Sequence, residues 1–274
     1  MPLTAFLLAL AAAFVHAGWN LLTARAEQSH ASTAVALCAG ALVFAPLAAV
    51  AWEVDAAVIP YLIGSVLLEL AYFALLAAAY QRGPLSVVYP IARGAAPVFV
   101  AAAGALALGA SLSAPQVLGI VVVAGGVVLV RGFDRATRGP DVLLALATAA
   151  TIAGYTLVDK EALEHAAPLP YLELVIAPTA VVYLLFAARV AGRDAVRRAF
   201  GGAAALAGIG MFGAYGLTLA ALERADAAPV AAVRETSIVI AAVLAAALMH
   251  ERVGGVRACG SVVVFAGVML LAAA

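Results

Sequence analysis

Lysine and asparagine are almost missing from this chain: Lys160 and Asn20 are the sole examples in 274 residues. Charge as a whole is scarce, at 11% of residues, and the formal net charge is zero. A soluble domain of this length needs far more polar surface. No basic tract is present to attract nucleic acid, so no nucleic-acid partner is expected. Cysteine is limited to Cys38 and Cys259, both in apolar stretches, without the spacing of a metal site or a disulfide framework. Enzyme signatures are missing too. The stretch "HERVG" at 250–254 opens like a zinc-protease motif but has Gly254 where the second histidine is required. No GxSxG elbow and no phosphate-binding lysine loop occurs. Neither a metal nor a cofactor is expected, and the chain does not read as an enzyme.

What the chain has is apolar length. Hydrophobic residues make up 66% and the mean hydropathy is +1.12, which describes a polytopic membrane protein whose constant partner is the lipid bilayer. A spanning helix takes about 20 apolar residues. Ten stretches meet that measure: 2–24, 33–51, 58–80, 86–108, 114–130, 142–159, 170–190, 201–222, 229–249 and 254–273. Five precede the polar linker "RGFDRATRGPD" at 131–141 and five follow it. The first stretch lacks a basic leader and reads as a retained helix. Fourteen arginines against one lysine, with abundant alanine, suggest GC-rich bacterial codons and hence a multi-pass protein of the bacterial inner (plasma) membrane.

The two halves repeat. A single offset of 141 residues lays Arg93 on Arg234, Gly119 on Gly260 and Gly126 on Gly267. A second match lays "LLALAAAFVHAGWNLL" (7–22) over "LLALATAATIAGYTLV" (143–158), with Gly18 on Gly154 and Trp19 on Tyr155. The expected fold is therefore an all-α integral membrane protein of ten transmembrane helices, arranged as two inverted five-helix repeats. Residues 1–130 form the first repeat, 131–141 the linker and 142–274 the second. An odd number of spans inverts the second copy, and such repeats place a substrate near the bilayer midplane at their interface. The seven-residue glycine spacing in helices five and ten suits close backbone packing. Alternating loops put eleven arginines, from Arg25 to Arg257, on one side, against Lys160 and Arg224 on the other, which would turn both termini outward.

Ionisable groups at bilayer depth cost about 2.5–3.5 kcal/mol on insertion scales, so they tend to face a cavity or a partner. His16, Trp19 and Asn20 cluster in helix one, and Ser65, Glu69 and Tyr72 share a face of helix three. Helix four offers Tyr89 and Arg93, the latter between Pro90 and Pro97, which remove backbone donors. Helix six carries Thr148, Thr151, Tyr155 and Asp159 along one stripe, and helix nine carries Arg234, Glu235, Thr236 and Ser237. Substrate-binding candidates are His16, Trp19, Asn20, Glu69, Tyr72, Tyr89, Arg93, Thr151, Tyr155, Arg234, Thr236 and Ser237; Glu69 and His16 are the proton-coupling candidates. Each has a plainer reading. The threonines can bond their own backbone, and Glu69 can pair with Arg93. Asp159 and Lys160 are expected at a membrane boundary as solvated caps. Inverted symmetry would set Arg93 and Arg234 at opposite ends of one cavity. There they could bind an anionic group, which a guanidinium fork suits, or pair structurally with Glu69 and Glu235.

Ten spans in two copies, "HAGWN" (16–20), "YPIARGAAP" (89–97), "VRETSIVIAAVLAAALMHE" (233–251) and the glycine pairs together resemble the EamA-type permeases of the drug/metabolite transporter superfamily. The likeness includes Glu251 after helix nine, where the family usually has an acid; the first copy has Ala110 there. The resemblance implies a secondary transporter of a small metabolite, often an exporter, alternating access about a midplane site; a homodimer is a compatible assembly. It implies termini in the cytoplasm, opposite to the charge count. The small multidrug-resistance relatives couple protons through a helix-one glutamate, where this chain has His16 and Asn20. A flippase for a lipid-linked or amphipathic molecule is the alternative within transport, and a membrane-embedded enzyme the one outside it.

Overall fold

The computed structural model describes residues 1–25, 30–82, 85–108, 113–131, 139–237, 239–240 and 255–272. Among these the fold is helical, with one isolated two-residue bridge. In chain order the helices are α1 (Leu3–Arg25), α2 (His30–Val50), α3 (Ile59–Arg82), α4 (Leu85–Leu108), α5 (Ala114–Arg131) and α6 (Gly139–Ala162). There follow α7 (Pro168–Val190), α8 (Arg193–Ala199), α9 (Gly202–Arg224), α10 (Ala227–Arg234) and α11 (Gly255–Ala272). Helix suits a long apolar run in lipid, because it satisfies the backbone N–H and C=O groups within one segment where no water is present.

Among the described residues, five stretches are long and apolar enough to span a bilayer: His30–Val50, Ala56–Ala79, Gly139–Ala162, Pro168–Val190 and Gly202–Arg224. Shorter apolar stretches occupy Leu3–Trp19, Ile91–Ala103, Val117–Gly126 and Ala258–Leu270. The distribution of polarity is that of a protein solvated by lipid. Leu42, Val50, Leu67, Leu143 and Leu185 point outward, while Glu69, Arg93, Asp159, Arg234 and Glu235 are buried.

Helix boundaries follow local chemistry. Pro168 and Pro170 open α7 after Ala167, whose extended backbone is what a residue before proline prefers. Gly192, at φ +88°, makes the left-handed step from α7 into α8, a short helix that presents Arg193, Arg197 and Arg198 on the surface. The Asp55 carboxylate accepts from the Ala57 N–H at 2.8 Å and starts the 3₁₀ turn Ala56–Val58 that leads into α3.

The helices form two compact units. One comprises Ala71–Leu157 with Ala225–Ala274 and is called here the arginine unit; the other comprises Pro2–Leu70 with Val158–Arg224 and is called the aspartate unit. Each draws helices from both sequence halves, and α3 and α6 pass from one unit to the other at Leu70/Ala71 and Leu157/Val158.

In the arginine unit, Val88, Ile91, Ala92, Val123, Ala145, Ala232, Val264 and Val268 make a continuous core. Here α5 and α11 pack backbone against backbone. A Cβ on Gly126 would stand 2.6 Å from Val264 N and 3.0 Å from Gly260 O. A Cβ on Gly267 would stand 2.7 Å from Val123 N and 2.9 Å from Gly119 O. These contacts exchange under the 141-residue offset, which takes Gly119, Val123 and Gly126 to Gly260, Val264 and Gly267. Self-complementary contact of this kind is the mark of a two-fold interface, here between two halves of one chain.

The aspartate unit packs α1 and α2 on α9, and α2 also on α7. Gly40 and Gly208 let α2 and α9 approach at backbone distance, with Phe44 stacked on Phe212 at 4.5 Å beside them. His30 Nδ1 lies 2.9 Å from the Tyr183 hydroxyl. At one end two loops pair antiparallel: Asp55 N donates to His165 O and Ala167 N to Glu53 O, both at 2.8 Å.

Candidate functional site

Buried charge in a lipid-solvated bundle needs a local reason, and each unit contains one such cluster. In the arginine unit, Arg93 is 4% exposed and places Nη2 3.0 Å from Glu235 Oε1, while Glu235 has no exposed surface. Arg234 is 6% exposed, with Nε 4.0 Å from the same oxygen. Two guanidiniums on one carboxylate leave this triad with a net positive charge. The expectation that the arginines occupy opposite ends of a cavity is corrected: both reach one carboxylate. The physical reason is that Glu235 directly follows Arg234 and could not remain buried without its cations.

Local backbone sets this up. The sequence reads 229–249 as one span, but the chain turns at Glu235, whose N–H converges on the carbonyls of Ala231, Ala232 and Val233. Helical geometry resumes at 236–237 and 239–240. An interrupted helix carrying charged residues at bilayer depth is a recurring way to build a transporter site. Under the 141-residue offset Glu235 matches Gly94, where α4 is continuous and an added Cβ would run into Val264 Cγ1. One copy supplies the acid, and the other uses the same place for close packing.

Tyr72 and Tyr155 meet edge-to-face in this unit, with centroids 5.9 Å apart. The Thr148 and Thr151 hydroxyls donate at 2.8 Å to carbonyls of their own helix, Leu144 and Thr148, and Thr236 donates at 2.8 Å back across the turn to Val233 O of α10. Ser237 is fully buried. The side chains of Asn20 and Tyr89 lie outside the described part of the structure, as do the "HERVG" stretch, Ala110, Glu251 and most of the linker.

The aspartate unit is organised on Asp159, which has no exposed surface. Its Oδ1 accepts from Ser65 Oγ and from the Tyr171 hydroxyl, both at 2.7 Å, and its Oδ2 accepts from the Tyr215 hydroxyl. The next residue, Lys160, donates from Nζ to Leu222 O at 2.7 Å, near the C-terminal end of α9. The expectation that Asp159 is a solvated cap is corrected: three hydroxyls from α3, α7 and α9 replace water around it. Glu69, one turn beyond Ser65 on α3, is 2% exposed. His16 and Trp19 meet at 5.0 Å on α1, and Trp19 packs over Gly210 of α9.

Tyr171, Tyr215 and Glu173 did not stand out in the sequence. Tyr171 and Tyr215 complete the Asp159 cluster, and Glu173 Oε2 is enclosed without a hydrogen-bond partner among the described residues. One signal pointed to the cluster: Asp159 continues the polar stripe of Thr148, Thr151 and Tyr155 into the bundle. Among the described residues no three His, Cys, Asp or Glu side chains gather as a metal site.

Against known proteins, a solved crystal structure aligns over 98% of this chain and 96% of its own, with 16% identity and a TM-score of 0.70. A likeness at that identity concerns the fold alone. Among curated proteins no sequence match was found. The profile of the EamA-like transporter family matches twice, over residues 3–132 and 140–273. With two successive matches covering nearly its whole length, the chain belongs to the EamA-like transporter family of the drug/metabolite transporter superfamily, a family of multi-pass membrane transporters.

Proposed function

We propose that this protein is a secondary-active exporter of a small metabolite in the bacterial inner membrane, and not an enzyme. Ten spans in two inverted five-helix repeats, 1–130 and 142–274 joined by 131–141, would alternate access about a substrate site near the midplane. The observation that carries the reading is the Arg93–Glu235–Arg234 triad, buried where α10 breaks, in a chain of a transporter family. A static fold would be served as well by apolar residues there, since buried ion pairs seldom add net stability.

The triad's excess positive charge favours a substrate with an anionic group. Arg93 and Arg234 would hold that group, Tyr72, Tyr89, Thr151, Tyr155, Thr236 and Ser237 would contribute aromatic and hydroxyl contacts, and Glu69, His16, Trp19 and Asn20 would complete the path. Glu69 and His16 remain the proton-coupling candidates of this reading.

The test is ligand-induced thermal stabilisation of the purified protein against amino acids, phosphonates, nucleosides and lipophilic cations, since a ligand specific for the folded state raises its apparent stability. Wild type and Arg93→Gln are each referenced to their own ligand-free melt. The expected result is stabilisation by anionic metabolites that Arg93→Gln loses. Stabilisation by lipophilic cations alone would remove Arg93 from the substrate site.

A further inference from the structure

We propose that Asp159 is a proton-sensitive latch, closing one end of the aspartate unit when ionised and releasing it when protonated. The inference deepens the transport reading and rests on it, since a transporter needs an end that opens.

The latch is read from who donates to whom. Ser65 on α3, Tyr171 on α7 and Tyr215 on α9 all direct hydroxyls at one carboxylate on α6. Four helices are therefore tied through two oxygen atoms, both acting as acceptors. Lys160 ties the same end of α6 to the Leu222 carbonyl of α9, and the pairing of Glu53 and Asp55 with Ala167 and His165 closes the loops beside it.

An ionised carboxylate is an acceptor only, whereas the protonated acid has one O–H donor. A proton taken from water onto Oδ2 makes that atom a donor, so its contact with the Tyr215 hydroxyl reverses to a weaker, neutral hydrogen bond and the Tyr215 proton needs another acceptor. A proton on Oδ1 disturbs two hydroxyls instead. Either way the three-donor arrangement belongs to the ionised state and is lost as pH falls.

Other groups on these elements bound the assignment. Glu69 lies one turn from Ser65 on α3, and Glu173 lies two residues beyond Tyr171 on α7. On α9, Glu223 and Arg224 are exposed at the helix end and face each other. On α6 itself Lys160 is engaged with Leu222 O, and Glu161 is exposed. Glu69 is the strongest competitor, being buried as Asp159 is.

The test reads opening directly, with neither substrate nor gradient, so it can fail while transport stands. In a background of Cys38→Ala and Cys259→Ala, Thr218→Cys reports from α9 between Tyr215 and Leu222, at a position 2% exposed. Ala191→Cys, in the exposed turn between α7 and α8, corrects for the pH dependence of thiol chemistry. Ala145→Cys, fully buried in the arginine unit, reports general loosening.

Maleimide labelling at position 218, relative to 191, should rise on acidification by about tenfold per pH unit while the latch titrates, the slope of one linked proton. Asp159→Asn should label fast at both alkaline and acidic pH. Tyr215→Phe, which keeps the packing and removes one donor, should lie between Asp159→Asn and the parent. Glu69→Gln should retain the pH response. The proposal is overturned if labelling at 218 is slow and flat with pH, if the response survives Asp159→Asn, if Glu69→Gln abolishes it, or if position 145 accelerates in step with 218.

Discussion

Substituting alanine for Gly126 or Gly267 should destabilise the protein by similar amounts, and making both changes together should cost less than the sum. An added Cβ at Gly126 lies 2.6 Å from Val264 N, and at Gly267 2.7 Å from Val123 N. Ordinary contact begins at 3.4 Å, so α5 and α11 would have to separate by 0.8 Å (3.4 less 2.6) or 0.7 Å (3.4 less 2.7). The obstructing atoms are helix backbone, which cannot rotate away, so each variant falls in the overpacking range of about 1–3 kcal/mol. Separation admitting one methyl has already made most of the room for the second, and neighbouring substitutions that share one displacement are not additive. Gly125→Ala is the control, because nothing lies within 4 Å of its Cβ position. There the change gains up to about 1 kcal/mol of helix propensity and should be neutral or stabilising. Thermal or denaturant unfolding of the four variants in detergent micelles measures this. The two-fold seam is refuted if one of Gly126→Ala and Gly267→Ala is silent, or if Gly125→Ala costs as much as either.

Three further outcomes concern the buried polar groups. Removing one partner of a buried ion pair costs about 3–5 kcal/mol, and Glu235→Met should exceed Arg93→Met in unfolding experiments, because it removes the carboxylate that both guanidiniums reach whereas Arg93→Met leaves Glu235 with Arg234 4.0 Å away. Lys160→Met, which removes the bond to Leu222 O, should lower stability by about 1.5–3 kcal/mol, the range for a hydrogen bond to a charged group. Thr148→Val should change the unfolding midpoint little, by no more than the roughly 1 kcal/mol of an ordinary hydrogen bond, since its hydroxyl serves only a carbonyl of its own helix.

The sequence disclosed the class of fold and its repetition because both are written in long periods: apolar runs of bilayer length, and glycines and an arginine recurring at one offset. The α5–α11 seam is the offset match made physical. Pairing of charges was not legible in that way. Asp159 stands beside Lys160 near the end of an apolar run, which in one dimension looks like a boundary. Its burial comes from Ser65, Tyr171 and Tyr215, which approach from distant parts of the chain. The break at Glu235 was hidden for the opposite reason. Residues 229–249 read as one span despite the polar Arg234 to Ser237, and the turn at Glu235 has neither proline nor glycine to mark it. Nor did the repeat boundaries foretell the compact units, because α3 and α6 each belong partly to both.

Flux through the purified protein tests the central claim most directly. Reconstituted into proteoliposomes and preloaded with a metabolite that stabilises it, the protein should drive saturable counterflow of the labelled compound without ATP, and Arg93→Gln should abolish that counterflow while remaining folded. Absence of flux for every stabilising ligand from a folded, correctly inserted protein would contradict the transporter account; equal flux through Arg93→Gln would contradict its placement of the site.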